Sequence, residues 1–204
     1  MKAAASATSA VQAATKAATG IAGFDAITGG GLPRGRTTLL VGGPGSGKTV
    51  FAMQCLVHGA RACKEPGIFV AFEETAQRIR ANFGGFGWGL PALQTKRLAI
   101  VDAQPAPDLI QCGTFDLGGM LAALELQARQ IGARRIVFDA LDIVLALLPD
   151  AAAFMGASGR LRSARSGRGI RSHVGGLASC GRDEARVGAR PCLCACAQNC
   201  TVGP

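Results

Sequence analysis

Residues 42 to 49 read Gly42-Gly43-Pro44-Gly45-Ser46-Gly47-Lys48-Thr49 and fit the pattern G-x-x-x-x-G-K-[ST]. These residue types suit one task. The glycines let the backbone turn so that several N–H groups point at a single anion. A helix after the loop would offer its N-terminus, with its partial positive charge, to the same anion. Lys48 would reach the β- and γ-phosphates of a nucleotide, and the Thr49 hydroxyl would ligate Mg²⁺. The expected ligands are therefore the phosphates of a nucleotide and Mg²⁺. A glycine-rich turn with an incidental lysine is the plain alternative. Against it, strand, loop and helix come in the order the chemistry needs: Thr38 to Val41 is a short apolar run, and Val50, Met53, Val57 and Ala60 recur at helical spacing after the loop.

Carboxylates at strand ends are the second set of candidates. Ile68 to Phe72 reads as a buried strand that delivers Glu73-Glu74 at its C-terminal end. Open α/β sheets bind ligands outside the carboxyl ends of their strands, so these acids should arrive on the same edge as the P-loop. There one of them could activate water for attack on the γ-phosphate; otherwise one caps the next helix and the other is solvated. Arg134 to Asp139 places two basic residues, an apolar strand and a terminal Asp in the pattern of a Walker B element. Asp139 would hold Mg²⁺ through water and Thr49. Asp142, near the same edge, reads as a solvated or capping residue.

Other elements must carry these groups. Glu65-Pro66-Gly67 ends the post-loop helix with a turn. Thr75 to Phe83 reads as a short helix, and Gly84 to Gly89 breaks it, with Trp88 as a packing residue rather than a platform for adenine. Leu98 to Asp102 is a third strand, and Pro105 and Pro107 mark a loop. Leu117 to Ile131 is an amphipathic helix with Leu121, Leu124 and Ala128 on one face and Gly132 as its stop. Leu141 to Leu148 is apolar and begins another helix. Residues 1–18, mostly Ala, Thr and Ser, offer no apolar stripe and read as a disordered leader; the rival, a targeting presequence, lacks arginine. Thr19 to Gly35 reads as an irregular connection. Cys55 and Cys63 fall on the post-loop helix as small packing residues.

At 204 residues the chain is long enough for one domain with a sizeable core, and no apolar run reaches the length of a membrane span. No compact secretory h-region stands at the N-terminus, so a cytoplasmic location is expected. The net charge of +9 is unevenly spread: residues 154–204 hold eight arginines, no lysine and two acids, a net +6. Five cysteines, Cys180, Cys192, Cys194, Cys196 and Cys200, also crowd this tail. It shows neither strand alternation nor a sustained helical stripe. Its Arg, Gly, Ala, Ser and Cys composition suits the wrong frame of a GC-rich gene, and a frameshift near residue 153 is the expectation, with the tail disordered. Two rivals are a soft-metal site on the cysteines, whose C-x-C-x-C-x₃-C spacing departs from paired C-x₂-C knuckles, and a basic arm that sticks nonspecifically to nucleic acid. Neither that arm nor the rest of the chain has recognisable sequence-selective features for nucleic acid.

From Thr19 to about Ala153 the chain resembles a KaiC-type ATPase domain of the RecA-like superfamily. The resemblance rests on Gly23-Phe24-Asp25, Gly30-Gly31-Leu32-Pro33-Arg34-Gly35, the P-loop, Glu65-Pro66-Gly67, Phe72-Glu73-Glu74, Phe86-Gly87-Trp88, Phe115-Asp116-Leu117 and Asp139. It implies an α/β fold: a RecA-like P-loop NTPase with a mainly parallel sheet flanked by helices, here truncated after the Walker B strand. A sheet of four strands, with an open edge, would follow. In such a family the adjacent glutamates after the second strand supply the catalytic base, and these fall on Glu73 and Glu74; the Walker B aspartate falls on Asp139. Ala140 stands where relatives often carry a hydroxyl residue. The resemblance further implies homo-oligomers, hexameric rings with ATP between subunits, and clock or signalling proteins as partners. ATP hydrolysis with Mg²⁺, impaired by the truncation, is the expected function. The alternatives are a nucleotide-binding signalling module without turnover, a fragment of a serine/threonine autokinase, and a DNA-acting RecA relative.

Overall fold

The computed structural model describes residues 15–104, 116–147 and 172–179. Its centre is a five-stranded, wholly parallel sheet in the order β3-β7-β6-β4-β5. These strands are β3 (Thr37–Gly42), β4 (Gly67–Ala71), β5 (Leu98–Asp102), β6 (Arg135–Asp139) and β7 (Ser172–Ser179). Parallel strands need crossovers, and helices supply them: α2 (Lys48–Ala62) between β3 and β4, α3 (Ala76–Asn82) and α4 (Leu90–Gln94) between β4 and β5, and α5 (Leu117–Ile131) between β5 and β6. A further helix, α6 (Leu141–Leu147), follows β6.

Both faces of the sheet are covered at β4 and β6, whereas Leu39 and Val41 of β3 stay exposed. On one face Ile68, Val70 and Phe72 meet Ile136 and Phe138 under Leu121, Leu124 and Ala128 of α5 and Val144 of α6. On the other, Phe69, Ala71 and Val137 lie under Ala52, Met53, Leu56 and Val57 of α2 and Ile79 of α3. This double burial is why β4 and β6 read as unbroken apolar runs rather than as alternating patterns. The α5 stripe is the predicted one, and its ends are set locally: the Asp116 carboxylate accepts from Gly119 N at 2.8 Å, and Gly132 closes the helix in the left-handed region at φ 64°. Thr75 caps α3 in the same way, accepting from Arg78 N.

Three expectations are corrected. The sheet does not stop after four strands, because Ser172–Ser179 forms β7, inside the tail expected to be unstructured and beyond the point where the domain was expected to be truncated. This strand fills the position between the P-loop strand β3 and the Walker B strand β6. Its Gly175-Gly176 pair destroys the alternation by which a strand is read, and both ladders shift register there. Hydrogen bonding on two edges outweighs the weak strand propensity of such residues. The leader also ends earlier than expected: β1 (Lys16–Ala17) pairs antiparallel with β2 (Leu32–Pro33). The connection from Thr19 to Gly35 likewise contains a short helix, α1 (Ala22–Ile27). The Asp25 carboxylate organises it by accepting from Thr19 N, Thr19 Oγ1 and Gly20 N at 2.9, 2.7 and 3.0 Å. Residues 1–14, the loop at Pro105 and Pro107, Phe115, and the tail cysteines lie outside the described residues.

Candidate functional site

The register brings the candidate groups to one edge. Across the sheet, Ala71 is level with Asp139 on one side and Asp102 on the other, and Asp139 is level with Leu177, itself opposite Leu40. The P-loop begins two residues beyond Leu40, at Gly42. The carboxyl ends of β3, β4, β5 and β6 therefore open on one rim, as expected for an open α/β sheet.

On that rim the P-loop runs directly into α2. Gly45 and Gly47 take positive φ, 73° and 83°, a conformation that favours glycine. Gly47 caps α2 without any side-chain hydrogen bond, so the first N–H groups of the helix are left to face the loop. Lys48 arches back over the loop, and its Nζ donates to the carbonyls of Gly42 at 2.8 Å and Gly43 at 2.9 Å. Pro44 and Ser46 complete the turn, with Ser46 N donating to Gly43 O.

Asp139 ends β6 close to Thr49, the next residue of the motif: hydrogen bonding from the Thr49 hydroxyl and the Ala140 N–H acts to lower its carboxyl. Burial pushes the Asp139 carboxyl up to about 6; the two hydrogen bonds work against that shift, and the nearby charges of Glu73 and Glu74 add to it. Phe72 N donates to Asp139 O, so the turn that carries the two glutamates starts beside the Walker B end. Ala140 follows in the left-handed region at φ 63° and is buried.

Glu73 and Glu74 differ in setting. Glu73 is exposed, while Glu74 is half-buried and its Oε2 accepts from Asn82 Nδ2 at 2.8 Å. Three residues absent from the sequence-based set shape this turn. Asp102 Oδ1 accepts from Ala76 N at 2.6 Å, Gln104 Nε2 donates to Glu73 O at 2.6 Å, and Asn82 holds Glu74. Asp102 had a signal, since it too closes a predicted strand; Gln104 and Asn82 act across long or irregular stretches and carry none. Asp142 is half-buried in the first turn of α6, and its Oδ1 is buried without a hydrogen-bond partner among the described residues. Trp88 packs as predicted, stacked on Phe83 with ring centroids 5.3 Å apart.

Whether these residues suit a divalent cation can be judged from their donors. A hydroxyl close enough to lower a buried carboxylate, with two more carboxylates close enough to raise it, form a hard-oxygen set of the kind Mg²⁺ prefers. They fit the group. The chain does not cross a membrane by any described helix, none of which is long and apolar enough.

Comparison with known proteins shows the family. The family described as "ATPase: KaiC" matches residues 17–154. The chain is 45% identical over 131 residues to the circadian clock oscillator protein KaiC of Parathermosynechococcus lividus, covering 63% of this chain and 24% of that one. It is 41% identical over 158 residues to circadian clock protein KaiC3 of Synechocystis sp. (strain PCC 6803), covering 76% and 31% respectively. With KaiC2 of the same organism it shares 40% identity over 131 residues, 63% of this chain and 23% of the relative. The matched part thus spans a quarter to a third of the length of these relatives. A RecA-like α/β sheet with a P-loop and a terminal Asp on one rim, and a match over most of the chain, make it a member of the KaiC ATPase family.

Proposed function

We propose that the chain binds Mg-ATP on the rim formed by the P-loop, Glu73-Glu74 and Asp139, and hydrolyses it slowly. The observation that carries this reading is the convergence on one rim of the P-loop, over which Lys48 Nζ donates to Gly42 O and Gly43 O, and of the Asp139 end of β6. Gly42 to Gly47 would surround the phosphates with backbone N–H groups, and the α2 N-terminus would add its dipole. Lys48 would leave the carbonyls of Gly42 and Gly43 for the β- and γ-phosphate oxygens, exchanging two neutral acceptors for charged ones. Thr49 and Asp139 would hold Mg²⁺, which when bound offsets charge on the phosphate oxygens. Glu73, exposed and on the same rim, is suited to orient the attacking water; Glu74, held by Asn82, would help set the turn and is the alternative base.

The test is turnover. Glu73→Gln combined with Glu74→Gln should leave ATP affinity within the wild-type range and remove phosphate release. Hydrolysis at the wild-type rate in that variant moves the base elsewhere. A second reading, a nucleotide-binding module without turnover, is favoured by one observation: the family match ends at residue 154 while the chain runs to 204. ATP binding with no measurable phosphate release from the wild type would select it. Assembly with further copies, which family membership supports, belongs to the same proposal and is read from the molar mass in solution with and without Mg-ATP.

A further inference from the structure

Arg135 opens β6 at the end of the sheet opposite the P-loop, with its side chain only 4% exposed. Its guanidinium reaches three separate parts of the chain. Nε and Nη2 donate to Glu65 Oε2 at 2.8 and 2.6 Å, and Nη1 donates to the carbonyls of Cys55 in α2 and Ala18 beside β1 at 2.8 and 2.7 Å. Glu65 Oε1 accepts in turn from Arg34 Nη1 at 2.5 Å, and Arg34 Nε donates to Lys16 O at 2.8 Å. Helix α2 makes room for the array: a Cβ at Gly59 would stand 2.6 Å from Arg135 Nε.

Such an array is a poor source of net stability, because taking the charges out of water offsets much of their attraction. What it supplies is direction. The apolar contacts of Leu56 and Val57 with Phe69 and Val137 hold α2 on the sheet but are non-directional. The planar fork of Arg135 fixes where α2 sits along β6. The near ends of these same two elements carry Thr49 and Asp139. We propose that Arg135, with Glu65, is a positioning pair for the Mg²⁺–nucleotide site: tying the middle of α2 at Cys55 and the turn after it at Glu65 to the start of β6 keeps the Thr49 hydroxyl in register with the Asp139 carboxylate. This rests on the Mg-ATP reading above. Arg135 touches no phosphate; it acts through the two elements.

The experiment compares mant-ATP affinity in Mg²⁺ with that in EDTA, using the full chain and its Arg135→Met, Arg135→Lys and Gly59→Ala variants, each first checked for a cooperative melt. The ratio of the two affinities is the Mg²⁺ enhancement. Arg135→Met should lower the enhancement about tenfold, the scale on which groups that orient metal ligands act. Arg135→Lys should restore part of it, and Gly59→Ala, which displaces the guanidinium from the helix side, should lower it too. Affinity in EDTA should hold nearly constant throughout. A folded Arg135→Met with the wild-type enhancement overturns the inference. So does an equal loss of affinity with and without Mg²⁺ in the folded variants, which is what a merely structural role gives. If Arg135→Met does not fold, the other two variants decide by the same ratio. No enhancement in the wild type itself overturns the Mg-ATP reading, and the inference with it.

Discussion

Cys55 shows how much of a residue's chemistry is set by its surroundings. Its thiol is buried against the sheet, and desolvation pushes it up to about 12, with the charge of Arg135 pulling the other way. A thiol of that kind is a packing group, not a nucleophile. Iodoacetamide should therefore modify Cys63, which is half-buried, well before Cys55 in the folded protein, as read by peptide mass mapping. Equal rates would mean that α2 opens readily from the sheet. At this scale the site was largely legible in the sequence: the P-loop residues, Glu73, Glu74 and Asp139 each stood at a strand end or in a motif whose chemistry names its members. The buried Oδ1 of Asp142 depends on how α6 returns over the sheet, which no local pattern states. The Arg34–Glu65–Arg135 array was hidden for a similar reason. Its members are separated by 31 and 70 positions and meet only in the folded chain.

Elements were read as far as their periodicity allowed. The strands β3 to β6 and the helices α2, α3 and α5 lie within a residue or two of their predicted ranges, because apolar runs and capping residues mark them plainly. Short elements without an apolar stripe, β1, β2 and α1, were missed; tertiary hydrogen bonds around Asp25 and the β1–β2 pairing make them. Capping is testable at α5. Asp116→Ala should cost about 1 kcal/mol in a urea melt and Asp116→Asn much less, since either acid or amide can accept from Gly119 N. The strand β7 makes the stronger element-scale prediction. Val174 pairs with Thr38 of β3 and Val137 of β6, so proline there removes a ladder donor inside the sheet. Val174→Pro should abolish the cooperative melt and nucleotide binding together. A wild-type melt would put β7 outside the sheet that positions the P-loop.

The whole molecule depends on charge at its lower end as well as on the rim. Burial would raise the Glu65 carboxyl, but hydrogen bonds from Arg34 and Arg135, with their charges, bring it below its ordinary value. The Asp25 carboxyl is likewise lowered: desolvation acts upward, and the hydrogen bonds from Thr19 and Gly20 outweigh it. A carboxyl that is lowered on folding contributes stability that is full above its unfolded value and is lost as pH falls through its folded one. Asp139, raised to about 6, acts the other way, and its cost is relieved as pH falls through that value. The Glu65 and Asp25 contributions should be lost only below the unfolded carboxylate range. Glu65→Gln should flatten that acid limb of the melting temperature; an unchanged limb would place the acid sensitivity elsewhere. Because β7 brings part of the tail into the sheet, the proposed frameshift bears on the function directly: resequencing across the codons for Leu145 to Gly159 would show whether the chain that folds here is the chain the gene specifies. The central claim, a KaiC-family domain that holds Mg-ATP at the P-loop, is tested most directly by titrating wild type and Lys48→Ala with ATP in Mg²⁺. Saturable binding by the wild type, weakened about a hundredfold or more in the variant as a lost charged hydrogen bond requires, is the predicted result. Equal affinity in the two proteins, or no binding by the wild type, would contradict it.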